Sequence, residues 1–139
     1  MDTKKIAIIG AGSWGTALSL HLAEKSEQIS LWVYEKELCE IILKERENKW
    51  FLSGFPLPKN INPNNSIETV IRDHSIILMV TPTPTLRDIM SQLEPFIQPE
   101  SLIINASKGI ENDSLSTCHK IIKDSLNIPC DVASISGPT

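Results

Sequence analysis

Three glycines, Gly10, Gly12 and Gly15, follow directly on the short apolar run Ile6-Ala-Ile-Ile9. That run has the length and character of a buried parallel strand, and an amphipathic helix begins just past Gly12. Each glycine then serves a separate purpose. Gly10 permits a sharp turn, Gly12 lets backbone approach a bound pyrophosphate closely, and Gly15 lets the helix pack closely on the strand. Unpaired N–H groups at the helix start attract phosphate, and the helix dipole favours the negative charge. A second apolar run, Ile29-Ser-Leu-Trp-Val33, stops just before Glu35. A carboxylate there can accept the 2′ and 3′ hydroxyls of an adenosine ribose. A lone G-x-G-x-x-G is weak evidence, but strand, turn, helix, second strand and acid in this order point to dinucleotide binding. Lys108 is a further candidate. It stands between the apolar run Leu102-Ile-Ile-Asn105 and Gly109, on a tight loop from which an ammonium can reach over a crevice.

The elements that position these residues read as alternating strands and helices. Helices are expected over about Trp14 to Lys25, with Trp14, Ala17, Leu18 and Leu22 on one face, and over about Lys36 to Glu47, with Leu38, Ile41 and Ile42 inward. From Asn48 to Asn65 the chain is rich in Asn and Pro, and only an extended piece around Ile61 is expected. Its apolar residues, Trp50, Phe51, Leu52 and Phe55, are expected to pad the flank of a sheet. A short helix from Ile67 and a strand over Ser75–Val80 come next, and Thr81-Pro-Thr-Pro84 ends that strand. Leu86, Ile89, Met90 and Leu93 mark a helix at i, i+3, i+4 and i+7, and Leu115, Cys118, Ile122 and Leu126 suggest another. The last strand is Val132-Ala-Ser-Ile-Ser136. Short continuous apolar strands alternating with helices specify an α/β, doubly wound parallel sheet of Rossmann type. Its crevice lies beyond the carboxyl ends of the strands, where the glycines, Glu35, Thr81–Thr85 and Lys108 all fall.

Composition narrows the class. With 139 residues the chain suffices for one domain with a core. A net charge of −4 without a Lys/Arg cluster disfavours nucleic-acid and anionic-membrane partners. No apolar stretch approaches a membrane span, and no signal peptide is expected ahead of the first strand. Cys39, Cys118 and Cys130 are odd in number and lack metal or redox spacing, the pattern of reduced cysteines in a cytoplasmic protein. His21, His74 and His119 are scattered and read as surface or core-edge residues.

Gly10-Ala-Gly-Ser-Trp-Gly-Thr-Ala17 resembles the opening of the NAD(P)-dependent glycerol-3-phosphate dehydrogenases. So do Leu31-Trp32, Asn48-x-x-Phe-Leu-x-Gly54, Leu57-Pro58-x-Asn60-Ile61, Val80-x-Pro82, Ser107-Lys-Gly-Ile-Glu111 and Ser136-Gly-Pro-Thr139, in the same order. The resemblance implies reduction of dihydroxyacetone phosphate to sn-glycerol 3-phosphate with NADH or NADPH, a step that feeds phospholipid synthesis in bacteria. It implies cofactor contacts from Ser13, Trp14, Tyr34, Glu35 and Phe51, contacts to cofactor and substrate from Lys108, and a substrate site lined by Gly137 and Thr139. It further implies that the catalytic lysine and an Arg-Asn pair lie on a helical second domain after this segment. Residues 1–139 are accordingly expected to be a cofactor domain truncated before that domain, from an enzyme that is a homodimer when complete. Many members carry Arg or His at position 34 and Asp or Arg at position 35. Glu35 favours NAD, since a 2′-phosphate would meet like charge, and Lys36 is a weak substitute for arginine. The family is mixed on this point, and the choice between NAD and NADP stays open. Two other functions fit the residues: a related two-domain reductase of a keto acid or imine, and a non-catalytic NAD-sensing module.

Overall fold

The computed structural model describes residues 2–137. In chain order the elements are β1 (Lys5–Ile9), α1 (Ser13–Ala23), β2 (Gln28–Trp32), α2 (Lys36–Glu45), β3 (Glu47–Asn48), β4 (Leu52–Pro56) and β5 (Ile61–Asn64). They continue with α3 (Ile67–Ile71), β6 (Ile76–Met79), α4 (Leu86–Leu93), β7 (Leu102–Asn105), α5 (Cys118–Asp124) and β8 (Asp131–Ser134). Six strands form one parallel sheet in the order β5-β2-β1-β6-β7-β8. The chain builds outward from β1 to β2 and β5, then crosses back to lay β6 on the other side of β1. The order therefore reverses between β1 and β6, and a crevice opens there at the carboxyl ends.

Strand residues alternate between two cores. Ala7, Ile9, Ile77, Met79 and Ile103 face α3, α4 and α5, whereas Ile6, Ile8, Ile29, Leu31 and Leu78 face the side of α1 and α2. Burial on both faces is why these strands read as continuous apolar runs. The expected face of α4 is fully realised, with Leu86, Ile89, Met90 and Leu93 all buried. Complete burial of such side chains is worth about 1.5–3 kcal/mol each.

Three helical faces differ from expectation, and on α2 the difference is small: Cys39 is buried with Leu38 and Ile42, while Ile41 is only partly covered. On α1 the buried residues are Gly15, Thr16, Ser19 and Ala23, while Trp14 is half exposed and Leu18 and Leu22 are only partly covered. Small side chains take the inner stripe because this helix lies so close to the sheet, and the leucines pack along its flank. On α5 the inner residues are Cys118, Ile121 and Ile122. Leu115 precedes the helix with φ 56° and is exposed. Its place in the 3.6-residue period is coincidental, because the backbone is left-handed there.

The segment 48–65 is more ordered than its composition suggests. β5 forms at Ile61 as expected, pairing parallel to β2 with Ile61 opposite Ile29. An antiparallel β3–β4 hairpin was not legible, since one strand has two residues and the other is almost wholly exposed. Trp50, Phe51 and Phe55 stand out from this hairpin, exposed, and do not pad the sheet. Among the described residues no helix is long and apolar enough to cross a membrane.

Leu86→Ala should lower the unfolding free energy by about 2–5 kcal/mol, and Leu115→Ala by no more than about 0.5. Urea denaturation of both variants checks this, and a large loss at Leu115 would restore it to the core.

Candidate functional site

The crevice at the switch point is a cavity of about 840 Å³, lined by the 10–15 turn, Trp32, Tyr34, Glu35, Phe51, Val80–Pro82 and Ala106–Lys108, among others. That is within the range of small-molecule and cofactor sites.

Its floor is the glycine turn. Gly10 has φ +123°, and a Cβ there would lie 2.2 Å from the Val80 carbonyl oxygen. A Cβ on Gly15 would lie 2.0 Å from the Gly10 carbonyl oxygen. Packing alone therefore forces glycine at both positions. Gly12 differs: its φ is −72°, and an added Cβ would meet nothing within 4 Å. Contact with the rest of the chain therefore does not require glycine there, and its backbone stays open to the crevice. Gly12 also caps α1 with no side chain, and no acidic residue stands in the first turn. The first helical bond from this cap runs from Thr16 N–H to the Gly12 carbonyl at 3.0 Å, so the N–H groups of Ser13, Trp14 and Gly15 precede the ladder and are free to meet an anion.

Two flanks carry the other predicted residues. At the end of β2, the Asn65 side-chain amide donates to the Val33 and Tyr34 carbonyls, each at 2.8 Å, and so fixes the turn into α2. Tyr34 is exposed and sets its ring edge-on to Trp32 at 5.9 Å. Glu35 occupies the α2 cap position without bonding the helix through its side chain. On the other flank the β3–β4 turn brings Phe51 against the glycine turn, where Ser13 Oγ donates to the Phe51 carbonyl at 2.8 Å.

Lys108 stands on a loop tied down from several sides. Thr81 N–H donates to Ser107 Oγ at 2.9 Å, and Ser107 N–H donates to Asn105 Oδ1 at 3.0 Å. Thr83 Oγ1 donates to the Lys108 carbonyl at 2.7 Å, and the neighbouring Gly109, at φ +123°, has no room for a Cβ beside that hydroxyl. Farther along, the Arg87 Nε donates to both Glu111 carboxylate oxygens at 2.8 and 2.7 Å, and Ser114 Oγ donates to one of them. The Ser114 hydroxyl, then Arg87, hold the Glu111 carboxyl below its ordinary value.

The crevice thus brings together Gly10, Gly12, Ser13, Trp14, Gly15, Tyr34, Glu35, Phe51 and Lys108. Gly137 is exposed beyond β8 and does not line it, and Thr139 lies outside the described residues. No histidine lines it either: His74 is buried on Ser30 and the Arg72 carbonyl, and His119 bonds Ser134. Sequence reasoning placed Asn48 and Ser107 in family motifs and Thr83 at the crevice without giving any of them a bonding role, and it passed over Asn65. Each is a small polar residue, and its burial or its backbone partners reveal the bonding role. Thr81, in the crevice wall, keeps a buried hydroxyl that has no partner among the described residues.

Comparison with known proteins agrees with this geometry. Residues 5–139 match the profile of the NAD-dependent glycerol-3-phosphate dehydrogenase N-terminus. The chain belongs to that family. It is 38% identical over 136 residues to the glycerol-3-phosphate dehydrogenase [NAD(P)+] of Syntrophobacter fumaroxidans, covering 96% of this chain and 40% of that protein. It is 40% identical to the enzyme of the same name from Citrifermentans bemidjiense, covering 98% and 41%. The crystal structure of glycerol-3-phosphate dehydrogenase from Coxiella burnetii superposes with a TM-score of 0.89 at 31% identity, covering 97% of this chain and 41% of that one. The chain thus spans about two-fifths of the length of the relatives it matches.

Two measurements follow from the turn and the loop. Gly15→Ala should destabilise the fold by about 1–3 kcal/mol or more, through overpacking, whereas Gly12→Ala should cost under about 1 kcal/mol. Equal losses in thermal unfolding would show that packing sets both glycines. Because the Glu111 carboxyl is held low, its stabilisation is present above its unfolded value and is lost as pH falls through the folded one. Ser114→Ala combined with Arg87→Ala should therefore flatten the acid limb of the stability–pH curve below about pH 4.5, and an unchanged limb would contradict these contacts as its source.

Proposed function

We propose that residues 1–139 form the dinucleotide-binding part of an enzyme that interconverts dihydroxyacetone phosphate and sn-glycerol 3-phosphate with NADH or NADPH. On this reading the remaining length of the relatives corresponds to the part that completes the substrate site. The single observation that carries cofactor binding is Gly12, a glycine with open space beside it at the start of a helix whose cap has no side-chain bond. The family membership and the names of the relatives support the substrate pair.

The residues present fit a dinucleotide. Backbone N–H groups of Ser13, Trp14 and Gly15 would hold the pyrophosphate. Glu35 would accept the hydroxyls of the adenosine ribose, with Tyr34 and Phe51 as apolar walls. When bound, the reduced nicotinamide supplies hydride to a carbonyl carbon. Lys108, on its braced loop, would set an ammonium near the carbonyl oxygen, where negative charge grows as hydride arrives. A fixed cation stabilises that charge more in the transition state than in the ground state. Gly137 and Thr139 are proposed to line the substrate side.

NADH fluorescence titration of this chain should saturate, and Gly12→Ala should weaken binding at least about tenfold while the fold survives. No binding of NADH or NADPH at millimolar concentration would end the cofactor reading. Glu35→Ala should weaken NADH by roughly ten- to a hundredfold, and NADPH less, the loss of one charged acceptor. Equal small losses would return Glu35 to the solvent. In the complete enzyme, Lys108→Met should lower kcat/KM at least about a hundredfold with little change in stability. Near-normal turnover would remove Lys108 from the site.

A further inference from the structure

Asn48 is completely buried, yet it is an amide with four hydrogen-bonding positions to satisfy. Its Nδ2 donates to the Ala11 carbonyl and to Thr16 Oγ1, both at 2.8 Å. Its Oδ1 accepts from Phe51 N–H at 3.1 Å. One side chain therefore ties the glycine turn, the first turn of α1 and the tip of the β3–β4 hairpin together. Ser13 Oγ donates to the carbonyl of the same Phe51, so both backbone polar groups of that residue are held. The Phe51 side chain itself stays substantially exposed and lines the crevice, with Trp50 edge-on behind it at 6.4 Å.

An exposed phenylalanine on a short hairpin would ordinarily sample several positions, because little apolar contact fixes it. Here the backbone beneath the ring is fixed from inside the protein instead. A buried amide network of this kind is worth satisfying completely, since each polar group left unpaired costs the full desolvation penalty. The far end of the hairpin is anchored separately, since Leu57, directly after β4, is buried in the core and its N–H donates to the Arg46 carbonyl at 2.7 Å, whereas β4 itself is exposed and the larger sheet is complete without it. The Asn48 bonds act at the tip, where they join the Phe51 backbone to the glycine turn and the first turn of α1 and so set the distance between the aromatic wall and that turn.

We propose that Asn48 is a positioning residue for the dinucleotide, holding Phe51 against the Gly10–Gly15 turn before any ligand arrives. The inference rests on the cofactor reading above. Asn48 does not touch the ligand; it acts through Phe51, so that binding need not order the hairpin. Ligands gain affinity from a wall already in place because the ordering cost is removed from the binding step.

A double-mutant cycle with Asn48→Ala and Phe51→Ala, read by NADH titration, separates this role from a merely structural one. Asn48→Ala should weaken NADH roughly tenfold in the wild-type background and less than about threefold when Phe51 is already alanine. Equal losses in both backgrounds, or no loss in either, would overturn the positioning role. Amide hydrogen exchange on the unaltered chain gives an answer that does not depend on the variant folding. Phe51 N–H should exchange at least about tenfold more slowly than the amides of the exposed turn residues Lys59 and Asp113 without NADH. Protection appearing only with NADH would mean that ligand, not Asn48, orders the wall. Failure of the wild-type chain to bind NADH would instead remove the cofactor reading together with this one.

Discussion

Everything at the crevice depends on three backbones meeting without side chains between them. The end of β1, the start of α1 and the end of β6 converge where Cβ atoms on Gly10 and Gly15 would overlap the carbonyls of Val80 and Gly10. Because the clash is with backbone, no rotamer change relieves it. The contact sets how close α1 lies to the sheet, and thereby selects Thr16, Ser19 and Ala23 for its inner face. It also fixes the direction of the helix start at the reversal of strand order, the place where doubly wound sheets take their ligands. Fold and site share one cause here: the packing that closes α1 on β1 is the packing that aims its N-terminus.

A second layer of order comes from side-chain amides in the segment 48–65. Asn48 bonds the start of α1, and Asn60 donates to the Ala23 and Ser26 carbonyls, 2.8 and 3.0 Å away at its end. Asn65 holds the turn beyond β2. Asparagine suits this role because its short amide offers donors and an acceptor in a fixed plane, and so replaces backbone pairing where the chain is irregular. A segment with the composition of a loop thereby braces both ends of α1 and one wall of the crevice.

The doubly wound fold was legible because its signals are local and redundant: apolar runs ending in glycine or proline, and the Leu86–Leu93 period. The glycine turn and the place of Glu35 at the crevice were legible for the same reason. Failures arose where a tertiary contact overrode the pattern. Leucines 18 and 22 have the right period, but the Gly10–Gly15 contact leaves room only for small residues beneath α1. Leu115 shares the period of α5 by chance, and a left-handed backbone takes it out of the helix. The burial of Asn48 has no local signal, since an asparagine buried by long-range bonds looks identical in sequence to one in a solvated turn. Phe51 and Trp50 misled in the opposite sense, because apolar character suggested burial where the hairpin leaves them exposed.

The charge of the crevice limits how it can hold an anion. The chain carries a net charge of −4, and among the described residues the lining includes Glu35 and Asp88 against the single cation Lys108. Side-chain charge in this lining therefore offers an anion little net attraction, and on the proposed reading a pyrophosphate would be held by the oriented N–H groups and dipole at the start of α1. Those groups are short in range and fixed in direction, so they reward a phosphate lying against Gly12 and offer little to one elsewhere. A lysine-rich site would attract any polyanion. On the proposed reading this one would select by position, through the open backbone at Gly12 more than through any charge in the lining.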